Sequence, residues 1–354
     1  MTMAPRLYFV TGANSGCGLE ATRQLATHFL AETDTCENEN HSEVNISKDK
    51  TTRTIIYLCC RSKENANVAI EDIWGNIGIQ ENNDKSVRLE FLHFDAYEND
   101  NDVIRENIKV ALHRIPSEAG ASPIVGGILL NAGGFGDGKN GPTVSEGNGF
   151  EGCRIAKLNL IGHAKFVKQL LELAQTDSST RLVAVGSEAA ICTPGLISFG
   201  IDTDFVGHLA GTVPFKERYM GASYGWIKGI LALYWAAFAR HHPEFYVVTV
   251  SPGAISNSRF LNQAAVSPAV KLIAKASQWS CFGGSHTVQD GAQRCVDAIM
   301  GNGIFEEQHH NGSFLASRSG FARDFGSVAT LERGKFVADT DLQDRAREAV
   351  NKFL

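Results

Sequence analysis

The sequence lacks an uninterrupted apolar stretch long enough to span a bilayer, and it lacks a long run of basic residues. Its formal net charge of −6 gives no general attraction to phosphate backbones or anionic lipid. These absences argue against a membrane-spanning protein and against a nucleic-acid partner. The chain enters an apolar run at Leu7–Val10 too early for a targeting segment, so we expect a cytoplasmic location.

Cysteine pairs of the metal-binding or redox type are also missing. The eight cysteines include no Cys-x-x-Cys pair and are scattered through apparent strands and helices, which predicts reduced, mostly buried thiols. His163 and the His309–His310 pair have no companions at metal-ligand spacing. No metal site is therefore predicted.

Short apolar runs bounded by turn residues alternate with stretches of helical length. The runs fall at 7–10, 55–60, 89–94, 124–130, 181–185 and 245–250. This alternation predicts an α/β fold, in which a doubly wound parallel sheet lies between two helical layers. Because no internal repeat or long linker divides the chain, residues 1–354 are predicted to form a single domain with surface insertions.

Two segments interrupt the alternation. Residues 32–54 are rich in Glu, Asn, Asp, Ser and Lys, and they predict a flexible surface insertion after a first helix at about 16–31. Residues 133–152 contain many glycines and predict a flexible loop at the carboxyl edge of the sheet, where ligands bind in such folds.

A glycine-rich turn, Thr11-Gly-Ala-Asn-Ser-Gly-Cys-Gly18, follows the first predicted strand and leads into a helical pattern. Glycines there permit a tight turn, so a pyrophosphate can lie against the N–H groups at the positive end of the helix. On spacing alone, a plain strand-to-helix turn is the alternative. The predicted dinucleotide contacts in this turn are Gly12, Asn14, Ser15, Gly16, Cys17 and Gly18.

The spacing Gly-x-x-x-Gly-x-Gly behind a threonine resembles the short-chain dehydrogenase/reductase superfamily, whose members build a Rossmann-type sheet. Asn131-Ala132-Gly133 is similar to that family's Asn-Ala-Gly element, and Asp95 falls where the family has an acid against the adenine ring. The resemblance implies that Asp95, Asn131, Ala132 and Gly133 line a bound dinucleotide.

Arg61 ends the second predicted strand, where an acid would bind the ribose 2′-hydroxyl and a base would accept a 2′-phosphate. The guanidinium fork matches phosphate geometry. We therefore predict NADP(H) as the cofactor in preference to NAD(H). A solvated charge at the end of a strand is the alternative interpretation of Arg61.

Tyr224 and Lys228 have the i, i+4 spacing that puts two side chains on one helical face. A neighbouring ammonium favours the phenolate, so Lys228, together with the positive nicotinamide ring of a bound cofactor, is expected to lower the pKa of Tyr224 from its usual value of about 10. The resemblance implies that Tyr224 is the acid–base residue and that Lys228 tunes it and holds the nicotinamide ribose. It also implies that Ser187 orients the substrate oxygen and that Asn159 holds a water in a proton relay.

Two further features follow the sixth predicted strand. Pro252-Gly253 is similar to the turn whose backbone contacts the nicotinamide carboxamide in the family. Apolar residues at 266, 270 and 273, with lysines on another face, predict an amphipathic lid helix within a lid region at 256–285. Contact with a membrane surface is the alternative role for this helix.

The distance from Ser187 to Tyr224 is longer than in many family members, with residues 195–219 as the apparent insertion. This length resembles the retinol dehydrogenase and protochlorophyllide reductase-like branch. The other stretches that agree with this branch are Gly149–Glu151, Asn159–His163, Thr287–Ala292 and Asn311–Ser317.

The resemblance implies an oxidoreductase that transfers hydride between NADP(H) and a carbonyl or alcohol of a small apolar molecule, of retinoid, terpenoid, steroid or polyketide type. A non-catalytic NADP(H)-sensing protein on the same fold is one alternative. A protochlorophyllide-type C=C reductase is another, although Gly225, Trp226 and Ile227 differ from the residues expected there. The sequence leaves the reaction direction open, as it does the choice between a monomer and a homo-oligomer.

Overall fold

The strands and helices alternate along the chain as the sequence predicts. In this computed structural model the described residues are 5–38, 54–78, 86–115, 122–135, 152–191, 199–212, 220–253, 255, 286–306, 310–317, 329–330 and 336–354. The strands are β1 (Arg6–Thr11), β2 (Thr54–Cys60), β3 (Val87–His93), β4 (Ile124–Leu130), β5 (Gln175–Val185), β6 (Tyr246–Val250), β7 (Phe314–Ala316) and β8 (Ala329–Thr330). The α-helices are α1 (Gly16–Asn38), α2 (Lys63–Ile77), α3 (Asn101–His113), α4 (Arg154–Ala156), α5 (Gly162–Leu173), α6 (Phe205–Ala210), α7 (Met220–His241), α8 (Val288–Met300) and α9 (Thr340–Asn351).

The strands form one sheet in the order β3-β2-β1-β4-β5-β6-β7-β8. Strands β1 to β7 are parallel, and β8 pairs antiparallel with β7. The chain moves outward from β1 to β3 and then returns to lay β4 on the other side of β1. This reversal opens a crevice at the carboxyl ends of β1 and β4, the position at which doubly wound sheets bind ligands.

The core consists of two apolar layers, one on each face of the sheet. Helices α1, α2 and α8 supply the layer on one face, and α3, α5, α7 and α9 supply most of the other. Alternate residues of β1 divide between them, since Leu7 and Phe9 lie in one layer while Tyr8 and Val10 lie in the other. The predicted three-layer α/β/α architecture is confirmed.

Near-continuous apolar runs produce the inner strands because both of their faces are covered. All seven residues of β2, including Cys59 and Cys60, are buried, as are all five residues of β6. Among the described cysteines, those at 59, 60, 153 and 295 are buried and Cys17 is partly exposed, as the apolar strand and helix patterns predict.

The first helix is longer than predicted. We expected it to end near residue 31 and the flexible insertion to begin at residue 32, but α1 continues to Asn38. One physical reason lies at its predicted end, where His28 and Glu32 form an i, i+4 pair at 3.1 Å that favours a further turn. At the other boundary, Thr54 is already the first residue of β2. Residues 39–53 of the predicted insertion lie outside the described residues.

Part of the predicted 195–219 insertion belongs to the core. Phe205 and Leu209 of α6 are buried in the same apolar layer as α7. The C-terminal helix α9 covers α7 and also holds this segment, because Arg345 donates to the carbonyl oxygens of Gly200 and Thr203 at 3.0 and 2.7 Å. This segment is therefore part of the framework beside α7.

Several predictions fall beyond the described residues. They are the lid helix within 256–285, the loop at 136–151, and the parts of the 195–219 insertion at 195–198 and 213–219. Among the helices that the structure describes, none combines the length and apolar character needed to cross a bilayer.

Candidate active site

The predicted site residues lie at the carboxyl edge of the sheet. Each of the first six strands is followed there by a predicted site element, because all six are parallel. In strand order, the elements are the turn at 12–18, Arg61, Asp95, the segment at 131–133, Ser187 and the turn at 252–253. Asn159 lies in the helical segment between β4 and β5 of the chain, and the Tyr224–Lys228 pair lies on α7, between β5 and β6.

The glycine-rich turn after β1 is tightly packed. Gly12 has φ +67°, a left-handed conformation that favours glycine. A β-carbon on Gly18 would lie 2.4 Å from the Gly12 carbonyl oxygen and 2.5 Å from Nδ2 of Asn131. The start of α1 can therefore approach the turn only because residue 18 has no side chain.

Gly16 shows the opposite surroundings. It has φ +57°, and a β-carbon built on it would meet no atom within 4 Å among the described residues. Helix α1 starts at this residue and has no acidic side chain in its first turn. The open space lies at the start of α1, where free backbone N–H groups and the positive end of the helix dipole attract an anion. This position fits the pyrophosphate of a dinucleotide.

Thr11 and Asn131 join this turn to β4. Asn131 donates from Nδ2 to the carbonyl oxygen of Thr11 at 3.0 Å, and the N–H of Ala132 donates to the Thr11 hydroxyl at 2.9 Å. The crevice between β1 and β4 is thus bounded by two segments that hold each other in place.

Asn159 lies in a π-helical turn, Lys157–Ile161, between α4 and α5. Its side chain is fully buried and clamps Gly134, accepting from the Gly134 N–H at 3.1 Å and donating to its carbonyl oxygen at 2.8 Å. A β-carbon on Gly133 would lie 2.8 Å from Oδ1 of Asn159 and 3.5 Å from Nζ of Lys228. The Asn159 and Lys228 side chains therefore both lie next to Gly133, which brings two of the predicted catalytic residues close to each other.

Tyr224, Lys228 and Ser187 complete the cluster. The Nζ of Lys228 lies 5.6 Å from the centre of the Tyr224 ring, and the Ser187 hydroxyl is hydrogen-bonded to Tyr224. Ser187 also caps the 3-10 turn Glu188–Ala190 by accepting from the Ala189 N–H at 3.2 Å. Two hydroxyl groups and one amine thus converge at the carboxyl end of β5.

The pKa directions that the protein residues alone produce in this cluster are determined mainly by burial. Burial raises the pKa of Tyr224 above its usual value, and the Glu188 carboxylate raises it further, while the Ser187 hydrogen bond acts against them. Burial also lowers the pKa of Lys228 to about 7. The protein residues alone therefore hold the Tyr224 phenol protonated, and the lowering expected from Lys228 together with the nicotinamide ring stays a prediction.

Arg61 and Asp95 lie on the other side of the crevice, after β2 and β3. Arg61 is exposed, and the next residue, Ser62, caps α2 by accepting from the Asn65 N–H at 3.1 Å. Asp95 accepts from the Tyr97 N–H at 3.0 Å. Since β2 and β3 lie on the opposite side of β1 from β4 and β5, an extended ligand would have to span from these residues to Tyr224.

His163 is a buried residue whose contacts with the site the sequence did not reveal. Its Nδ1 donates to the Asn159 carbonyl oxygen at 3.3 Å, which leaves Nε2 to accept from the Thr11 hydroxyl at 3.1 Å. The ring stacks on Phe94, with centres 5.5 Å apart. Burial, with the Lys228 charge as a second cause, lowers the pKa of His163 to about 3. The neutral imidazole therefore links the strand before the glycine-rich turn to the helix that carries Asn159.

A second buried network lies behind the Pro252–Gly253 turn. Arg294 of α8 donates to Ser317 Oγ at 2.9 Å and to Nε2 of His286 at 3.1 Å. Arg294 and His286 are almost fully buried, at 2% and 0% exposure. Their positions in the sequence carry no recognisable signal, since the contacts join three separate segments of the chain.

Comparison with known proteins shows similarity in fold. No family model matches the chain, and no curated protein is similar to it. A short-chain dehydrogenase/reductase from Serratia marcescens is 13% identical, with a TM-score of 0.55 over 92% of this chain and 100% of that one. An actinorhodin polyketide ketoreductase with NADPH is 16% identical, with a TM-score of 0.53 over 92% and 100%.

A third solved structure agrees with these two. The alcohol dehydrogenase from the archaeon Thermococcus sibiricus, complexed with 5-hydroxy-NADP, is 15% identical, with a TM-score of 0.51 over 89% of this chain and 96% of that one. The TM-scores indicate a shared fold, whereas identities this low do not establish a shared activity. The activity therefore has to be argued from the site. The chain has the fold of the short-chain dehydrogenases/reductases.

Proposed function

We propose that this chain is an NADP(H)-dependent short-chain dehydrogenase/reductase that interconverts a carbonyl and an alcohol on a small apolar molecule. One observation carries the proposal: the hydrogen-bonded hydroxyls of Ser187 and Tyr224 lie beside Lys228, at the same sheet edge as the glycine-rich turn. Two hydroxyl groups at one point can bind a substrate oxygen together. The open space at Gly16 supports a pyrophosphate position at the start of α1.

Tyr224 acts in this proposal as the proton donor to the substrate oxygen, while Ser187 orients that oxygen. The bound dinucleotide would supply or accept the hydride. Burial raises the pKa of Tyr224, so its hydroxyl is protonated near neutral pH and can donate to a substrate oxygen.

Lys228 and Asn159 support the proton transfer. The pKa of Lys228, about 7, allows its amine to take up and release a proton near neutral pH. Asn159 holds Gly134 and contributes to the shape of the pocket around Gly133. We propose that Lys228 returns a proton to Tyr224 after each turnover, and that the Asn159 side holds the water that connects Lys228 to solvent.

The apolar character of the substrate is supported by an aromatic side chain near Tyr224. The Phe135 ring lies 4.8 Å from the Tyr224 ring, so an apolar surface lies directly beside the proposed proton donor. The long segment between Ser187 and Tyr224, which contains α6, supports assignment to the retinol dehydrogenase-like branch.

The NADP(H) preference rests on Arg61, which is exposed at the end of β2. A base at this strand end suits a 2′-phosphate. Two solved structures of the same fold were determined with NADPH and with 5-hydroxy-NADP, and this supports the same choice here.

The test is NADPH oxidation, followed by loss of absorbance, against a panel of apolar aldehydes, ketones and quinones. Tyr224→Phe should keep cofactor binding and lower the turnover rate by about 10²- to 10⁴-fold. Tyr234→Phe, which removes a buried hydroxyl from the same helix, is the matched control and should retain activity. Near-normal turnover in Tyr224→Phe would refute the assigned role. Cofactor binding without turnover of any compound would favour the sensing protein.

A further inference from the structure

Glu188 joins three neighbouring strands at the edge that carries the site. It directly follows Ser187, and its carboxylate is only partly exposed. Oε2 accepts from the Ser251 hydroxyl at 2.6 Å, and Oε1 accepts from the Ser317 N–H at 3.3 Å. Ser251 and Ser317 are the first residues after β6 and β7. One side chain from the end of β5 therefore links the ends of the next two strands.

Ser251 links Glu188 to the Pro252–Gly253 turn through two hydrogen bonds of its hydroxyl group. While its hydroxyl donates to Glu188, the same oxygen accepts from the Gly253 N–H at 3.3 Å. Gly253 has φ +84°, and a β-carbon there would lie 2.2 Å from Cδ2 of His286. The turn is thus held between the Glu188–Ser251 pair on one side and the His286 ring on the other.

A buried positive charge completes the arrangement. Ser317 lies between Glu188 and Arg294, since its N–H donates to the carboxylate and its hydroxyl accepts from the guanidinium at 2.9 Å. Arg294, at 2% exposure, has lost its hydration and has a negative partner within reach through one serine. The Glu188 carboxylate is therefore held in this position by two hydrogen bonds and by attraction to the nearby Arg294 guanidinium.

We propose that Glu188 is a positioning residue that fixes the Pro252–Gly253 turn relative to Ser187. This inference rests on the proposed function, in which the turn faces the nicotinamide end of the cofactor and Ser187 binds the substrate oxygen. Glu188 thereby sets the distance between the hydride-carrying ring and the substrate. Misplacement of one group by about 1 Å can cost on the order of 10²-fold in rate.

The position of Glu188 carries a second, electrostatic consequence. Among the described residues, the charged groups that face Tyr224 are Glu188, from the turn after β5, and Lys228, from its own helix. The negative charge of Glu188 raises the pKa of Tyr224. Its removal should ease the loss of the phenol proton, an effect that a purely structural contact would not have.

The experiment compares Glu188→Gln, Glu188→Ala and Ser251→Ala with wild type and with Glu348→Ala, a control for loss of an exposed carboxylate. Glu188→Ala and Ser251→Ala should lower kcat by about 10- to 100-fold and weaken cofactor binding in a fluorescence titration. Glu188→Gln keeps the shape and one acceptor oxygen, so it should recover most of kcat. Thermal melting identifies any variant that does not fold, in which case the remaining two carry the comparison.

The pH profile separates positioning from a general loss of structure. In alcohol oxidation, both Glu188 variants should move the limb that reports Tyr224 to lower pH, whereas Ser251→Ala, which keeps the charge, should leave that limb in place. Wild-type kcat and cofactor affinity in Glu188→Ala would overturn the proposal. If wild type itself reduces no carbonyl, the proposed function fails, and the cofactor titration still tests whether Glu188 holds the turn.

Discussion

The Nζ of Lys228 donates a 2.7 Å hydrogen bond to the carbonyl oxygen of Val185. Helix α7 is therefore joined to the last residue of β5, directly before the segment that carries Ser187. Lys228 is 2% exposed, so its ammonium has little contact with water, and this is why its pKa falls to about 7. A residue with a proposed catalytic role is in this way a source of instability.

Replacement of Lys228 by methionine should remove the cost of burying the ammonium and should change how the free energy of unfolding depends on pH. The unfolded lysine binds its proton up to about pH 10.4, whereas the folded one releases it near 7, so wild type gains stability as pH rises between these values. Between pH 7 and pH 9, the free energy of unfolding of wild type should rise by about 2–3 kcal/mol relative to that of Lys228→Met. Urea unfolding of both proteins at the two pH values measures this difference. A difference in unfolding free energy that is the same at pH 7 and pH 9 would contradict the prediction. Turnover should fall by at least about 10²-fold.

His163 should make the protein sensitive to acid. The folded imidazole resists protonation down to about pH 3, while the unfolded one takes a proton near 6.5, so the stability due to the neutral ring is lost as pH falls below 6.5. Between pH 6.5 and 4.5 this loss should amount to about 2–3 kcal/mol. His163→Gln should show a flatter decline in unfolding free energy over this range. His113→Gln, at an exposed position on α3, is the control and should follow wild type.

Arg61→Asp should weaken NADPH binding by about 10- to 100-fold, because a charge-assisted contact with the 2′-phosphate would be replaced by repulsion. NADH affinity should change much less. Fluorescence titration with both cofactors measures the difference, and Lys109→Asp on the surface of α3 controls for the altered net charge. Equal losses for the two cofactors would remove Arg61 from the 2′-phosphate site.

Gly18→Ala should disturb the glycine-rich turn, since the new methyl group would lie 2.4 Å from the Gly12 carbonyl oxygen. Forced separation of the two backbone segments should cost about 1–3 kcal/mol of stability and reduce cofactor affinity. Gly75→Ala is the matched control, because a β-carbon at this exposed position of α2 would meet no atom within 4 Å among the described residues. That variant should be neutral or slightly stabilised. Normal cofactor binding in Gly18→Ala would show that the close approach is dispensable.

The sheet was predictable from sequence because its strands are short apolar runs with turn residues at both ends. The buried strand β2 and the switch from β1 to β4 follow from local pattern and from the general rules of α/β connection. The end of α1 was not predictable in this way, since no glycine or proline marks it and a single His28–Glu32 pair favours the extra turns.

The site shows the same division between local and distant information. The resemblance to the short-chain dehydrogenases/reductases, together with motif order, singled out Asn159, Ser187, Tyr224 and Lys228, which lie close together in the structure. The contact of Glu188 with Ser317, 129 positions away, depends on strand order near the end of the sheet, and no spacing rule reveals it. The pKa direction of Tyr224 likewise depends on how deeply the fold buries it, which the i, i+4 pair does not indicate.

Helix α9 covers an apolar side of α7, and the two are tied where Arg240 donates to Gln343 at 2.6 Å, 103 positions further along the chain. On a ribosome, that stretch takes roughly 5–20 s to synthesise at typical rates of translation. For this interval the aromatic side chains of α7, Tyr234 and Trp235 among them, lack the helix that later shields them. Over this interval the nascent chain exposes an apolar side of α7, so we expect self-association through α7 and chaperone binding to be favoured until α9 has been synthesised.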